Sequence, residues 1–183
     1  MNIVLLGFKS CGKSTLGKKL AYFANMNFED TDTLVERFYL TTPECGVAAE
    51  AKSGTGPLQC REIYAIHGEE YLRNLEKKVV FALQGVDNTV IATGGGIVLD
   101  PANVAMLRAT GLCVFIDTDL ALLEKRLSTL QTLLFRDQSI GETHALRYPL
   151  YQAAAHLVFS VSVDEPIEMV AEELYTTVHS QRE

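Results

Sequence analysis

The chain has 183 residues, of which 48% are hydrophobic, and a formal net charge of −7 at pH 7. This composition is typical of a globular protein with a sizeable core, and it excludes fibrous and disordered classes. The negative charge argues against broad nucleic-acid binding, because proteins that bind the phosphate backbone normally carry a basic face. The expected partner is a small molecule.

The four cysteines form no C-x-x-C pair and no metal-ligand spacing with the four histidines. A zinc site and a disulfide framework are therefore not expected. We expect a reduced, cytoplasmic setting instead. The N-terminal apolar run is too short for a signal peptide. No segment approaches the roughly 20 apolar residues that span a bilayer, so no membrane segment is expected.

The first motif lies between a strand and a helix. The apolar run from Ile3 to Leu6 predicts a buried strand, and Lys13 to Ala24 predicts a helix. Residues 7–14, GFKSCGKS, fit the pattern G-x-x-x-x-G-K-[ST], whose backbone N–H groups surround phosphate oxygens at the positive end of a helix dipole. The alternative is a glycine turn with an incidental lysine, which the strand and helix on either side disfavour.

Nucleotide binding is therefore the first functional prediction. Lys13 is expected to reach the β- and γ-phosphates, and the Ser14 hydroxyl to ligate Mg²⁺. The residues predicted to hold the nucleotide phosphates are Gly7, Ser10, Cys11, Gly12, Lys13, Ser14 and Thr15.

A pair of acidic residues ends the next predicted strand, which starts at Asn27. Asp30 and Asp32 are two residues apart, and on an extended segment they would face the same side, toward the ligand crevice of a parallel sheet. There they could hold Mg²⁺-bound water or accept a proton. The alternative is an aspartate N-cap with a solvated neighbour before a helix that starts at Thr33. The position after a phosphate-loop helix favours the ligand-facing role.

The next segment predicts a broken helix and a pair of charged residues. The apolar spacing from Gln59 to Leu83 predicts two helices with a break at His67 and Gly68. Arg73 and Glu76 would share a face of the second helix, and taken alone they are expected to pair with each other.

Three consecutive glycines, Gly94, Gly95 and Gly96, follow the strand predicted over residues 89–93. Glycines cost backbone entropy on folding, so three in a row indicate close approach of a ligand to the backbone. A tight turn is the alternative.

The rest of the chain continues the alternation of strands and helices. Asp117 resembles a Walker B acid, but a capping role is favoured, since a helix is expected to start near Asp119. His156 is expected at a helix end or strand start, and the other histidines are given no role. The remaining predicted elements are a helix at 101–110, a strand at 112–117, a mobile polar segment at 128–143, a helix at 145–155 with Pro149 in its first turns, a strand at 156–161, and a helix from Glu165 and Pro166 to about Val178.

Five apolar strands that alternate with helices predict an α/β fold. The expected architecture is a doubly wound three-layer α/β/α sandwich around a five-stranded parallel sheet, in one domain over residues 1–183.

The ordered set of motifs resembles the shikimate kinases, which belong to the nucleoside monophosphate kinase-like branch of P-loop proteins. The matching residues are the phosphate loop at 7–14, Phe28-Glu-Asp30-Thr-Asp32, Gly68-Glu69 followed by Tyr71-Leu-Arg73-x-x-Glu76, Gly94 to Gly96, Arg126, and Arg147-x-Pro-Leu-Tyr151. The resemblance covers nearly the whole chain and implies a P-loop kinase fold.

The resemblance also implies an activity, which is transfer of phosphate from ATP, with Mg²⁺, to shikimate. Asp32 would contact the attacking hydroxyl, with Asp30 beside it near the Mg²⁺ water shell, so that Ser14, Asp30 and Asp32 form the metal set. Arg73 and Arg147 would bind the shikimate carboxylate through their guanidinium forks.

The same resemblance implies roles for the remaining residues of the site. The backbone of Gly94 to Gly96 would lie against the substrate ring. Arg126 would pack on adenine, with the loop near Pro166 on the other side. Residues 32–83 would form the substrate-binding subregion and residues 128–143 a lid over a monomeric enzyme.

Two departures from the family pattern stand out. Gln131 occupies the place of a lid arginine that reaches the transferring phosphate, and Arg136 is a candidate substitute. Residues 41–57 resemble an insertion beside the substrate subregion, and a surface loop is the favoured interpretation. The alternatives are a kinase for another hydroxy acid such as gluconate, and a nucleotide-binding protein with weak or lost kinase activity.

Overall fold

A computed structural model describes residues 1–45, 58–128, 139–161 and 165–180. The strands are β1 (Asn2–Leu6), β2 (Asn27–Asp30), β3 (Thr89–Ala92), β4 (Gly111–Thr118) and β5 (Leu157–Val161). The α-helices within the described ranges are α1 (Lys13–Ala24), α2 (Thr31–Tyr39), α3 (Cys60–Ala82), α4 (Pro101–Thr110), α5 (Leu120–Ser128), α6 (Ile140–Ala154) and α7 (Ile167–Ser180). Short 3₁₀ turns lie at Leu83–Gly85 and Ile97–Leu99.

The strands form one parallel sheet in the order β2-β3-β1-β4-β5. The central strand, β1, is buried over its whole length, as expected for a parallel strand covered on both faces. Strand β1 lies between β3 and β4, and the chain reaches these two neighbours only later, through crossover connections to opposite sides of β1. The strand order therefore reverses at β1. Ligands bind at this kind of switch point in doubly wound folds. The predicted fold class is confirmed.

Local signals fix the ends of the helices around this switch point. Helix α1 follows Gly12, which has a φ of 99°, and ends at Asn25, whose left-handed conformation is a common helix stop. Helix α4 begins with Asp100 as N-cap and Pro101 in its first turn. Helix α1 then packs on α7 and β3, and α2 packs on α3.

Helix α3 contains the predicted break. Gly68 has φ 83° and ψ 178°, which no α-helical residue adopts. His67, for which no role was predicted, stacks on Tyr71 with ring centroids 4.5 Å apart. Its Nε2 lies 2.8 Å from the Tyr39 hydroxyl. These contacts hold the kinked segment against α2.

Two predicted helix starts are wrong. Helix α2 begins at Thr31 instead of Thr33, because Asp30 caps it by accepting a hydrogen bond from the Asp32 N–H at 2.9 Å. Helix α6 begins at Ile140 instead of Ala145, because Ser139 and Glu142 form a capping box. The end of the segment predicted as a lid is therefore helical, and Pro149 lies in the helix interior instead of its first turns.

His156 lies directly before β5, as predicted. Its Nδ1 accepts a hydrogen bond from the Cys113 N–H at 2.9 Å, and its own N–H donates to the Cys113 carbonyl at 2.8 Å. Burial lowers the pKa of the imidazole. His156 therefore aligns β5 on β4.

In the part of the chain that the structure describes, the helices are too short or too polar to cross a bilayer.

Burial predicts where truncation of a leucine destabilises this fold. Leu20 of α1 has 0% of its surface exposed, whereas Leu146 of α6 is 59% exposed. We expect Leu20→Ala to lower the free energy of unfolding by about 2–5 kcal/mol, because it leaves a cavity in the core. Leu146→Ala, the same change on a surface helix, should alter it by no more than about 0.5 kcal/mol. Urea unfolding of both variants measures the difference, and equal losses would contradict the packing described.

Candidate functional site

The loop between β1 and α1 has the backbone shape that its glycines predict. Gly7 has φ 148°, and an added Cβ would lie 2.8 Å from the Ile116 carbonyl oxygen and 2.9 Å from Cys11 Sγ. Gly12 has φ 99° and provides the N-cap of α1. A side chain at either position would strain the loop.

Lys13 is folded into this loop. Its Nζ donates to the carbonyl oxygens of Gly7 at 2.9 Å and Phe8 at 2.7 Å, and lies 3.4 Å from Cys11 Sγ. The ammonium is buried and fully within the loop that the motif assigns to phosphate. An anion that enters the loop meets a positive charge already in place.

Ser14 and Asp30 connect the loop to β2. The Ser14 hydroxyl donates to Asp30 Oδ2 at 2.5 Å, while Asp30 Oδ1 accepts from the Asp32 N–H. A hydroxyl and carboxylates are hard oxygen donors, which suit Mg²⁺. Within the described ranges no cluster of three or more His, Cys, Asp or Glu side chains could hold a metal ion by itself. This small donor set fits an ion that takes its other ligands from phosphates and water.

Asp32 lies in the first turn of α2, beside Gly94. It remains open to solvent, but the protein atoms around it remove part of its hydration and thereby raise the pKa of its carboxyl group. The charge of Asp30 raises this pKa further, and the cations Lys13, Lys9 and Arg73 oppose the rise. Asp30 takes the N-cap role of the alternative interpretation as well as contacting Ser14, and Asp32 lies in a helix and not on an extended strand. That both acids face a ligand stays a prediction.

Arg73 makes the predicted pair with Glu76. Its Nη1 lies 2.7 and 2.8 Å from the two Glu76 oxygens, and its Nη2 lies 3.2 Å from Glu69 Oε1. Glu76 is buried, and loss of hydration raises the pKa of its carboxyl group against the opposing effect of Arg73. The two glutamates hold the guanidinium in a fixed orientation.

The three glycines after β3 lie between these groups. An added Cβ at Gly94 would lie 2.5 Å from Asp32 Oδ1, and one at Gly95 would lie 3.2 Å from the Lys9 backbone nitrogen. A Cβ at Gly96 would collide with the Arg73 guanidinium. Because the glycines have no side chains, Asp32, Lys9 and Arg73 can all approach this one stretch of backbone.

Helix α6 contacts the same stretch from its other side. The Gly95 carbonyl accepts hydrogen bonds from Arg147 Nη1 at 3.3 Å and from the Tyr151 hydroxyl at 2.5 Å. Arg147 Nε is buried, and no described residue accepts a hydrogen bond from it. The structure thus brings Arg73 and Arg147 to opposite flanks of the glycines, with one donor of Arg147 unused.

A cleft of about 270 Å³ opens on the α1 side of the phosphate loop. Arg126 lines it and donates from Nη1 to the Ser10 carbonyl at 3.4 Å. The opposite wall includes Glu165 and Ile167, which lie on either side of Pro166. The remaining lining residues are Ser10, Cys11, Gly12, Thr15, Leu16, Val161 and Val170.

Asp117 does not take the predicted capping role. It lies inside β4 and accepts a hydrogen bond from the Tyr148 hydroxyl at 2.9 Å. Helix α5 starts three residues later, at Leu120, where the carbonyl of Asp119 accepts the N–H of Leu123. The long apolar run of β4 extends one residue beyond Asp117, which explains the error.

Three residues near Asp32 were missed by the sequence analysis. Glu36 Oε1 accepts a hydrogen bond from the Cys60 N–H at 3.1 Å, and Cys60 Sγ lies 3.4 Å from the Asp32 carbonyl. Loss of hydration raises the pKa of the Cys60 thiol far above its usual range, so the thiol stays neutral. Lys9 is the third, and its positive charge inside the loop motif is the one signal that would have indicated it. Gln131, Arg136 and most of the segments 41–57 and 128–143 lie outside the described residues.

Known proteins resemble this chain over nearly its whole length. The model of the shikimate kinase family matches residues 9–44 and 48–179. A shikimate kinase of Caldanaerobacter subterraneus subsp. tengcongensis is 36% identical over an alignment of 178 positions that covers 94% of this chain and 93% of the relative. One of Caldicellulosiruptor saccharolyticus is 32% identical over an alignment of 188 positions, gaps included, that covers 100% of this chain and 97% of the relative.

Solved structures show the same fold. The shikimate kinase from Aquifex aeolicus has a TM-score of 0.74 at 27% identity and covers 100% of this chain and 98% of its own. The shikimate kinase from Acinetobacter baumannii in complex with shikimate has a TM-score of 0.81 at 24% identity and covers 98% of this chain and 93% of its own. On the family match and the identity to its relatives, this chain belongs to the shikimate kinase family of ATP-dependent small-molecule kinases.

Proposed function

We propose that this chain transfers the γ-phosphoryl group of ATP to the 3-hydroxyl of shikimate, a step in the biosynthesis of chorismate and the aromatic amino acids. The observation that carries the proposal is the position of Asp32. Its carboxylate lies beside Gly94, and the charges of the phosphate-loop lysine and of the Arg73 guanidinium both act on it. A hydroxyl placed there would face a proton acceptor on one side and the phosphate loop on the other.

Arg73 and Arg147 are the proposed carboxylate-binding residues. A guanidinium can match both oxygens of a carboxylate, and it keeps its charge when it is partly buried. The unpartnered Nε of Arg147 supports this role, because a buried donor without an acceptor costs free energy that a ligand oxygen would recover. The backbone of Gly94, Gly95 and Gly96 would then lie against the ring of the acceptor.

The nucleotide is proposed to bind in the phosphate loop and the adjoining cleft. Gly7, Gly12 and the N-terminus of α1 would hold the phosphates, with Thr15 at the cleft wall. Arg126 would pack on the adenine ring from one wall, opposite the segment around Pro166. Lys13 would exchange its carbonyl partners for phosphate oxygens.

Mg²⁺ is the proposed metal, with Ser14 and Asp30 as its nearest protein ligands and Asp32 beside them. When bound, the ion neutralises charge on the β- and γ-phosphate oxygens. The short contact between Ser14 and Asp30 supports this assignment, since both oxygens already lie together.

In the proposed mechanism, Asp32 orients the attacking hydroxyl and accepts its proton. Lys13 stabilises the negative charge on the transferring phosphoryl. Loss of hydration makes Asp32 a stronger base than an ordinary aspartate, provided that it is ionised before the substrate binds. Catalysis is then mainly positioning and charge stabilisation.

The proposed setting is a monomer in the cytoplasm that acts on small molecules and not on nucleic acid or membranes. All four cysteines are free thiols in the structure, which supports a reducing compartment.

The activity predicts an acceptor-dependent release of ADP. With Mg²⁺-ATP, shikimate should stimulate ADP production, measured by a coupled assay, whereas gluconate should not. Protein that is folded by circular dichroism but shows no stimulation by shikimate would exclude the proposed reaction.

Replacement of the proposed base should separate turnover from nucleotide binding. We expect Asp32→Asn to lower kcat by about 10²- to 10⁴-fold, because the amide cannot accept the hydroxyl proton. The dissociation constant for ATP, measured by calorimetry, should change little. Asp119→Asn makes the same chemical change at an exposed position and should leave both values unchanged. Near-normal turnover of Asp32→Asn would refute the assignment.

The raised pKa of Asp32 predicts the acidic side of the pH–rate profile. Since the protonated carboxyl cannot accept a proton, kcat/KM should fall as the pH drops through a pKa above the usual value of 3.8. Asp30→Asn removes a neighbouring negative charge that raises this pKa, so it should move the midpoint to lower pH, apart from any loss of activity. A midpoint that stays in place in Asp30→Asn would show that another group controls the profile.

A further inference from the structure

Lys9 occupies one of the four unconstrained positions of the loop motif between Gly7 and Gly12. It is half-buried, and its ammonium makes no hydrogen bond or ion pair with any other described residue. A cation that is partly removed from water and has no partner is stabilised when an anionic ligand supplies one.

The position of Lys9 is fixed by the glycines after β3. Its backbone nitrogen lies against Gly95, whereas Asp32 lies over Gly94 and Arg73 over Gly96. The Lys9 backbone therefore adjoins the middle glycine, between those that adjoin the proposed base and one of the proposed carboxylate-binding arginines. The same loop holds Lys13. A phosphoryl group that passes from this loop to an acceptor beside Asp32 would pass near Lys9, whose charge acts on Asp32.

The charges around Lys9 agree with this position. Loss of hydration lowers the pKa of the ammonium, the negative charge of Asp32 raises it, and Arg61 and Lys13 lower it further. The neutral Cys60 thiol is the remaining titratable group that faces it. In return, Lys9 lowers the pKa of Asp32 and so favours its ionised form.

We propose that Lys9 is a second catalytic cation of the phosphate loop, which contacts the non-bridging oxygens of the phosphoryl group during its transfer. This inference rests on the proposed kinase reaction. In that step the bond between the γ-phosphorus and the β,γ-bridging oxygen breaks, and its electron pair stays on ADP. A new bond forms between the phosphorus and the acceptor oxygen, whose proton passes to Asp32. Lys9 exchanges neither electrons nor a proton, and acts by charge alone.

The physical argument is one of charge balance at the point of transfer. Asp30 and Asp32 place two carboxylates next to the path of an anionic group. Lys13 remains on the side of the donor nucleotide, within its own loop. Lys9 provides positive charge on the acceptor side, where the carboxylates would otherwise repel the phosphoryl oxygens. Stabilisation of this kind raises kcat and leaves nucleotide binding nearly unchanged.

The test compares Lys9→Met and Lys9→Gln, which remove the charge and retain a long side chain, with Lys9→Arg, which keeps the charge. We expect kcat with saturating ATP and shikimate to fall by about 10²-fold in the two neutral variants, and to recover largely in Lys9→Arg. The dissociation constant for ADP should change less than about 3-fold. Lys18→Met removes the same charge from the exposed side of α1 and should retain wild-type kcat.

A second measurement addresses the phosphoryl contact directly. Affinity for ADP with aluminium fluoride and shikimate, which mimics the planar phosphoryl, should fall about as much as kcat in Lys9→Met, since the lost contact is made to that group. This loss is not expected if Lys9 only supports the fold.

The outcomes separate the two proposals. A wild-type protein without shikimate-stimulated turnover overturns the kinase reaction and the role of Lys9 together. An active wild type with unchanged kcat and mimic affinity in both neutral variants overturns the Lys9 proposal alone. A loss confined to KM for shikimate also overturns it, because the lysine would then bind the acceptor and not the transferring group.

Discussion

The acceptor side of the crevice depends on how closely charged side chains approach the backbone of Gly94–Gly96. A Cβ at Gly94 would lie 2.5 Å from an Asp32 oxygen, and one at Gly96 would displace the Arg73 guanidinium. The Gly94 N–H also donates to the Thr31 hydroxyl at 2.8 Å, which fixes the first turn of α2 beside the strand end. The positions of Asp32 and Arg73 thus depend on the missing side chains of Gly94 and Gly96 as much as on their own contacts.

The charges in the crevice are matched unequally, and this inequality indicates where ligands belong. Arg73 is held by two glutamates, and Lys13 is satisfied by two loop carbonyls. Asp32, Lys9 and one donor of Arg147 lack comparable partners among the described residues. A substrate carboxylate would provide a partner for Arg147, a substrate hydroxyl one for Asp32, and a phosphoryl group one for Lys9. The paired side chains thus form a rigid frame, and the side chains without such partners are the ones proposed to contact the ligands.

The sequence predicted those parts of the fold and site that are governed by local patterns. Apolar runs gave the five strands and their order along the chain, and the loop motif gave the geometry at Gly7 and Gly12. The start of α2 was missed because the side chain of Asp30 serves both as helix cap and as partner of Ser14. Lys9 was missed because its closeness to Gly95, 86 positions along the chain, arises only on folding, and the motif leaves its position unconstrained.

Contacts along α6 connect the two ends of the site. Phe8 of the phosphate loop packs edge-on against His144, with ring centroids 5.5 Å apart, and Tyr148 lies one turn further along. Tyr151 then stacks on Phe115 of β4 and donates to the Gly95 carbonyl. One helix therefore contacts the loop for the nucleotide and the glycines for the acceptor. Arg147 lies between these contacts along the helix, so the same element that packs on Phe8 positions the guanidinium beside Gly95.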